Sequence, residues 1–379
     1  MNILLNATPL TGLLTGISRY VRNLYTHLDG YPDITVDYFD GRRTYRRMPD
    51  QAEPGRWIRD TGNIWRLPDA AVFGLRSFFW LMYEFRVRRR LERRYDIYHE
   101  TAFTPARIFH ATPQIFTLHD LSLMHFRQHH PRERVWFSDF FFNKRIREAD
   151  HIIVPSEFIL QEAIEYIKIK QNQITVIPEA PDPFFYPRPG EDVSVVLKRL
   201  GIPAEYLLFA GTLEPRKNLS LVIEALHRCG LDVPLVLCGW SGWGEKSWMR
   251  KIEAYGLKKR IHQTGYVDET TLACLYSGAR ALVYPSLYEG FGLPVLEAMA
   301  CGCPVMCANT ASLPEVAGDA ALFFDPHQPE QLAHLIKAIY SDDALSESLT
   351  QKGYGRAARF TWRQAAEKTR EVFCRMIKK

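Results

Sequence analysis

Short apolar runs alternate along this chain with stretches in which apolar residues recur every three or four positions. The runs Asn2–Asn6, Ile34–Phe39, Asp96–His99, Gln114–Leu118, His151–Val154 and Ile174–Ile177 predict one set of strands. A second set is predicted at Tyr206–Ala210, Pro234–Cys238, Ile261–Thr264, Ala281–Tyr284, Pro304–Ala308 and Ala321–Phe324. Helical spacing is clear at Tyr20, Val21, Leu24, Tyr25 and Leu28, and again at Leu221, Val222, Ala225 and Leu226. Strand and helix in turn through both halves predict an α/β protein built on parallel sheets.

The two halves meet at a segment that can be neither helix nor interior strand. Five prolines fall between Pro178 and Pro189, and each removes a backbone donor. The expected organisation is a Rossmann-like domain over 1–180, a linker over 181–190, a second Rossmann-like domain over 191–358 and a final helical segment over 359–379. Two such domains would leave a cleft between the carboxyl ends of their strands, where open α/β sheets bind ligands.

Composition narrows the class. A chain of 379 residues is long for one core. No run of about twenty apolar residues is present, so no transmembrane helix is expected. The start, Met1–Asn6, enters a strand at once and lacks the basic region of a signal peptide. All seven cysteines follow residue 228, and their odd number and apolar settings fit buried thiols in a reducing cytoplasm. Cys301, Cys303 and Cys307 match no zinc spacing and read as parts of a buried helix end and strand. Charge is uneven: fourteen arginines face six acids from Arg42 to Arg94, beside Trp57, Trp65, Phe73, Phe78, Phe79, Trp80 and Tyr83. That stretch suits anionic lipid headgroups, and equally reads as a core helix with a solvated basic end. Nucleic acid is a poorer partner, because no binding motif accompanies the charge.

The chemistry concentrates after two strands of the second half. Behind Ala281–Tyr284 come Ser286, Glu289, the turn Gly290-Phe291-Gly292-Leu293, Pro294, Glu297 and Gly302. Proline suits the start of a helix and glycine its end, and the helix start presents unpaired N–H groups to an anion. Glu289 then sits at the mouth of an anion loop and Glu297 eight positions on, inside the helix. Behind Tyr206–Ala210 come Gly211, Thr212, Arg216, Lys217 and Asn218, the last able to cap the following helix. Adjacent cations there suit a pyrophosphate and would stabilise charge growing on a departing diphosphate. In the first half, His119 and Asp120 close the strand that ends at Leu118, and histidine is readily tuned for proton transfer. Gly16, ahead of a capping Ser18 in the loop Thr11–Arg19, would let backbone approach a phosphate; a plain strand–helix turn explains it as well. Gly239–Gly244 and Gly265-Tyr266-Val267 are loops that follow further strands. Gly353–Ala358 matches the dinucleotide glycine pattern but follows no strand and is set aside. No Asp-x-Asp triplet occurs, so no metal site and no cofactor are expected.

Taken together, these motifs closely resemble the retaining nucleotide-sugar glycosyltransferases of the GT-B fold that carry a paired-glutamate motif. The resemblance covers nearly the whole chain and is strongest over 206–326; Thr212 stands where some members carry arginine. It implies two Rossmann-like domains facing across a cleft, the first binding acceptor and the second donor, with the final helix crossing back onto the first. It implies that His119 reaches toward the donor sugar, that Glu289 positions that sugar and that Arg216 and Lys217 hold the diphosphate without a metal. It places Glu297 on the ribose, Val267 at the nucleobase, and Gly16, Thr212, Ser286, Gly290, Phe291, Gly292 and Leu293 around the donor. The His119 segment and Gly211–Asn218 further resemble bacterial mannosyltransferases of surface polysaccharide assembly. GDP-mannose is therefore the expected donor, with UDP- and dTDP-sugars as alternatives. A glycan on polyprenyl diphosphate is the expected acceptor in O-antigen or related biosynthesis, the protein being cytoplasmic with peripheral attachment to the inner membrane left open. A phosphosugar isomerase or phosphorylase, or a catalytically silent membrane-docking subunit, are the rival classes.

Overall fold

Every apolar run named above becomes a strand, because four-residue segments buried on both faces gain most as central strands of parallel sheets. The computed structural model describes residues 1–11, 16–49, 67–92, 95–109, 111–243 and 247–378. Gly12–Thr15, Trp57, Trp65, Arg93, Arg94 and Gly244 lie outside the described residues. The chain forms two compact units, Met1–Glu179 with Trp362–Lys379, and Ala180–Thr361.

The first unit holds β1 (Asn2–Asn6), β2 (Thr35–Phe39), β3 (Thr44–Tyr45), β4 (Ile97–Glu100), β5 (Gln114–Thr117), β6 (His151–Val154) and β7 (Ile174–Val176). They lie in the order β3-β2-β1-β4-β5-β6-β7, parallel except for the β2–β3 pair. The helices that matter here are α1 (Gly16–Leu28), α2 (Asp69–Leu91) and α3 (Arg132–Phe137). The C-terminal helix, Trp362–Ile377, also belongs to this unit. It lays Phe373 edge-on to buried His99 at 5.4 Å, places Trp362 6.0 Å from Tyr20 on α1, and pairs Arg370 with Asp33 at 2.8 Å.

The second unit is an all-parallel sheet of β8 (Leu207–Ala210), β9 (Leu235–Cys238), β10 (Ile261–Gly265), β11 (Ala281–Tyr284), β12 (Val305–Ala308) and β13 (Ala321–Phe324). Its order is β10-β9-β8-β11-β12-β13, so the direction of winding reverses between β8 and β11. At such a reversal open α/β sheets bind their ligands, outside the carboxyl ends of the two strands. The helices used below are α4 (Leu219–Cys229), α5 (Glu269–Gly278) and α6 (Leu293–Ala300). The proline-rich segment from Ala180 belongs to this unit: Phe185 is buried in its core and the Arg188 N–H donates to Ser277 Oγ at 3.0 Å. All seven cysteines are free thiols, six of them buried. Gly353 lies within the helix Asp343–Ala357 against Met299, so its glycine pattern marks packing.

Candidate functional site

The sharpest cluster of buried charge in the second unit lies at the β8/β11 reversal. The chain leaves β8 through Gly211 and makes a short 3-10 turn, Pro215–Lys217, that puts Arg216 and Lys217 side by side. It leaves β11 through Ser286 and reaches Glu289 before α6 begins. Adjacency of the two strands therefore brings together residues 72 positions apart. The Lys217 ammonium pairs with the Glu289 carboxylate at Oε1 and donates to the Tyr284 hydroxyl at 3.0 Å. That hydroxyl in turn donates to Glu289 Oε1 at 2.9 Å. Arg216 approaches Glu289 Oε2 at 3.3 Å, donates to Glu214 at 2.6 Å and also donates to the Tyr288 carbonyl. Arg216, Lys217 and Glu289 are each more than nine-tenths buried or close to it.

Burial alone would raise the Glu289 carboxyl. The Lys217 charge, then the Arg216 charge and the hydrogen bonds from Lys217 and Ser286, outweigh it and hold the group down at about 2. Glu289 is thus an anion with both oxygens engaged. The loop carrying it is fixed from the other side, since Ser312 Oγ donates to the carbonyls of Glu289 and Phe291 at 2.9 and 2.8 Å.

Two glycines shape this end of the sheet. Gly292 caps α6 at φ +111°, and a Cβ there would stand 2.8 Å from the Leu313 side chain. Gly239 follows β9 at φ +140°, and a Cβ there would meet the Gly211 carbonyl oxygen at 2.0 Å. Only glycine lets these loops touch. Pro294 occupies the first turn of α6, and Gly302 follows its end at φ +79°.

The structure brings some predicted residues together and separates others. Ser286, Gly290, Phe291, Gly292 and Leu293 line the same buried loop as Glu289. Thr212 lies on the β8 loop, its carbonyl taken by the Glu214 N–H at 2.9 Å. Glu297 is 1% exposed on α6, one oxygen accepting from the Tyr276 hydroxyl of α5 at 3.3 Å. Val267 follows β10, two strands from β8, about 10 Å away at the usual strand spacing. Asn218 does not cap α4 with its side chain: it sits at φ +55°, and its amide donates to the Pro326 carbonyl at 2.8 Å. A groove of about 430 Å³ beyond β12 and β13 is lined by Asn309, Thr310, Asp325 and His327 among others, and by none of the predicted site residues.

His119 and Gly16 belong to the first unit. Helix α1 begins at Gly16 itself, so Ser18 lies inside the first turn and is not its cap. Gly16 has open space where a Cβ would go and no positive φ. His119 Nε2 faces the Thr101 carbonyl at 3.2 Å, while Nδ1 stands 3.5 Å from Glu179. Tyr20 packs edge-on against the imidazole at 4.9 Å. The expected neighbour Asp120 instead accepts the Ser122 N–H at 2.9 Å, a local turn bond. Glu179, sixty positions downstream, carried no sequence signal; neither did Tyr284, read only as a strand residue, nor Glu214 beside the cations. Deeper in the unit, burial and then nearby His119 push His99 down to about 3, leaving it neutral between Tyr25 and Thr117.

A carboxylate facing one ring nitrogen and a carbonyl facing the other fix the orientation of the His119 ring. Removing Glu179 as alanine is expected to lower the rate of the sugar transfer that the sequence resemblance implies roughly tenfold, the scale of one contact to a charged group. Steady-state rates beside an unchanged circular-dichroism spectrum would check this; an unaffected rate would reduce Glu179 to packing.

The family described as "Glycosyl transferases group 1" matches residues 198–356, and "Glycosyltransferase Family 4" matches residues 14–183. O-antigen chain mannosyltransferase B of Escherichia coli is 34% identical over 280 residues, 72% of this chain and 72% of that protein. The chain belongs to the group 1 glycosyltransferases. A second relative of this glycosyltransferase is the serotype-specific mannosyltransferase WbdA of Escherichia coli. It is 31% identical over 252 residues, 64% of this chain and 31% of that protein, so the alignment spans about a third of WbdA. Among solved structures, sucrose-phosphate synthase from Thermosynechococcus elongatus superposes with a TM-score of 0.75 at 20% identity. That match covers 100% of this chain and 99% of the other, and the shared architecture is the GT-B fold. Among the described residues, no helix is long and apolar enough to cross a membrane.

Proposed function

We propose that this glycosyltransferase moves mannose from GDP-mannose onto a hydroxyl of a lipid-linked glycan in O-antigen assembly, with retention of anomeric configuration and without a metal ion. The observation that carries the proposal is the pairing of Arg216 and Lys217 with Glu289 at the reversal of the second sheet. The mannosyltransferase relatives of Escherichia coli support the choice of sugar and pathway.

In this reading the donor diphosphate lies against Arg216, Lys217 and the start of α6, which answer the charge that grows on the leaving oxygen. These cations are fixed before the donor arrives, so little reorganisation accompanies bond breaking. Glu289 keeps them in place and positions the sugar. Its role as a covalent nucleophile is disfavoured, because an ionised carboxylate at about 2 with both oxygens engaged is a weak nucleophile. His119 serves the reacting sugar or the acceptor hydroxyl, Glu297 the ribose and Val267 the nucleobase. Thr212, Ser286 and the Gly290–Leu293 loop complete the donor site of the second unit, and no cofactor takes part.

A thermal-shift panel with GDP, UDP and dTDP, each with and without EDTA, tests the donor. At a hundredfold excess over its dissociation constant a ligand stabilises by about 2.7 kcal/mol. That is worth roughly 5–10 °C in a domain of this size. A shift with GDP that EDTA leaves unchanged is expected. A shift with UDP or dTDP alone would overturn the donor, and loss of the shift in EDTA would overturn metal independence.

A further inference from the structure

Helix α2 is apolar on two opposite faces, and the first unit buries only one of them. Tyr83, Val87 and Leu91 pack with Leu4, Phe39 and Tyr98, and Val72 is buried nearer the start of the helix. Glu84, on the same side, is buried and held by Arg145 at 2.8 Å and by the Arg107 N–H at 2.8 Å. The helix is therefore anchored, and its other face is set by helical geometry. Leu75, Phe78, Met82, Phe85 and Arg89 recur at alternate spacings of three and four on that outer stripe. Phe78 is 59% exposed, and Phe79 at its flank is 61% exposed. Trp136 and Phe140, which flank the half-buried Phe73 on another side of the helix at 6.3 and 6.4 Å, are exposed as well. An anchored helix with a second, largely apolar face is not a solvated surface helix.

Charge gathers at the C-terminal end of this helix, with the exposed Arg89 on the outer stripe itself. Arg86, Arg88, Arg89 and Arg90 crowd the last turns of α2, and Arg89 lies 5.6 Å over the Phe85 ring. Three of the four are steadied by backbone carbonyls: Arg86 by Gly41 at 3.0 Å, Arg88 by Arg107 at 2.8 Å and Arg90 by Arg42 at 3.4 Å. The acids of the helix offset little of this. Glu84 is paired inside, Asp69 stands at the far end, and Glu92 alone follows the arginines.

We propose that the outer face of α2 docks on an anionic lipid bilayer. The aromatic rings enter the headgroup boundary and the arginines meet lipid phosphates. Aromatic anchors with adjoining arginines on a helix lying in the surface plane are the chemistry such a boundary recognises. The helix is about 35 Å long and keeps one face in the protein core, so it lies on the membrane and does not span it. The inference rests on the proposed lipid-linked acceptor only for its purpose; the surface carries the docking by itself.

The test is co-sedimentation of the full-length protein with vesicles of phosphatidylethanolamine and phosphatidylglycerol, and with vesicles of phosphatidylcholine alone. Binding is expected to the anionic vesicles only, and to weaken with added salt. Phe78→Ser with Phe79→Ser is expected to lower partitioning by about tenfold or more, because two rings no longer enter the boundary. Arg89→Gln is expected to lower it roughly fivefold. Both phenylalanines are mostly exposed, so circular dichroism and the GDP-induced thermal shift should match wild type. Equal binding to both vesicle types, unchanged binding by the double variant, or a wild-type dimer that the double variant dissolves would each overturn the proposal, the last by giving this face to a second copy. Absence of a GDP shift in wild type would count against the donor reading and leave the docking result standing.

Discussion

Replacing Lys217 by alanine is expected to slow glycosyl transfer by about 10²–10³-fold, the usual cost of losing one preorganised group that answers developing negative charge. Lys217 reaches the site as a buried ammonium held between Glu289 and the Tyr284 hydroxyl, 5.1 Å from the centre of the Tyr284 ring. Such a cation is worth more than one in water, because few solvent dipoles screen it. In the proposed mechanism the charge it answers is small in the bound donor and large as the sugar–phosphate bond breaks. The loss should therefore fall on kcat and on kcat/KM together, with KM for the donor little changed. Lys217→Arg restores the charge but brings a planar fork into a place shaped for a point donor, so partial recovery is expected. Rates within about threefold of wild type for the alanine variant would mean that the diphosphate is held elsewhere.

Glu289→Gln should lose activity too, yet its sharper signature is in stability. The substitution leaves Arg216 and Lys217 buried with Glu214 as the remaining carboxylate among the contacts described above. Removing one partner of a buried ion pair costs about 3–5 kcal/mol, since the other charge stays desolvated. In a domain of this size that lowers the melting temperature by roughly 10 °C. GDP should recover more in this variant than in wild type, because its diphosphate supplies the missing negative charge. The pH dependence has a definite sign. The folded carboxyl stands at about 2 against 4.5 for an ordinary glutamate. The difference corresponds to about 3 kcal/mol, fully present above pH 4.5 and lost as pH falls through 4.5 toward 2. The stability gap between wild type and variant should therefore narrow over that window. A gap that holds constant from pH 5 to about 2 would show that the ionised carboxylate is not what binds the cluster together.

These outcomes depend on contacts that the sequence shows only in part. The loops that carry Glu289 and the pair Arg216-Lys217 are each legible as a strand followed by glycines, charge and a helix. Their contact is not legible, because hydrophobic periodicity reports which face of an element is buried and says nothing of which strand lies beside which. The sheet order places β11 next to β8, and an ion pair across 72 positions results. The same blindness let Glu179 pass unnoticed and offered Asp120 in its place, since Asp120 was near in sequence while Glu179 is near in space. Asn218 and Ser18 looked like helix caps by residue type. The cap requires a backbone conformation that residue type does not fix, and here Asn218 turns left-handed while Ser18 falls inside its helix.

By itself, then, the sequence determined the α/β class, nearly every strand, the two α/β halves and the residues that carry charge into the site. Each of those rests on local physics: burial period, turn residues and the chemistry of single side chains. Strand β3 escaped because two residues are too few to show a period. The tertiary structure alone decided which charges neutralise one another, which glutamate is exposed to two cations and which turns inward to Tyr276. It also decided which side of α2 meets solvent. A helix apolar on two opposite faces gives no local sign of which one is outer; only the packing of Tyr83, Val87 and Leu91 against the first sheet assigns it.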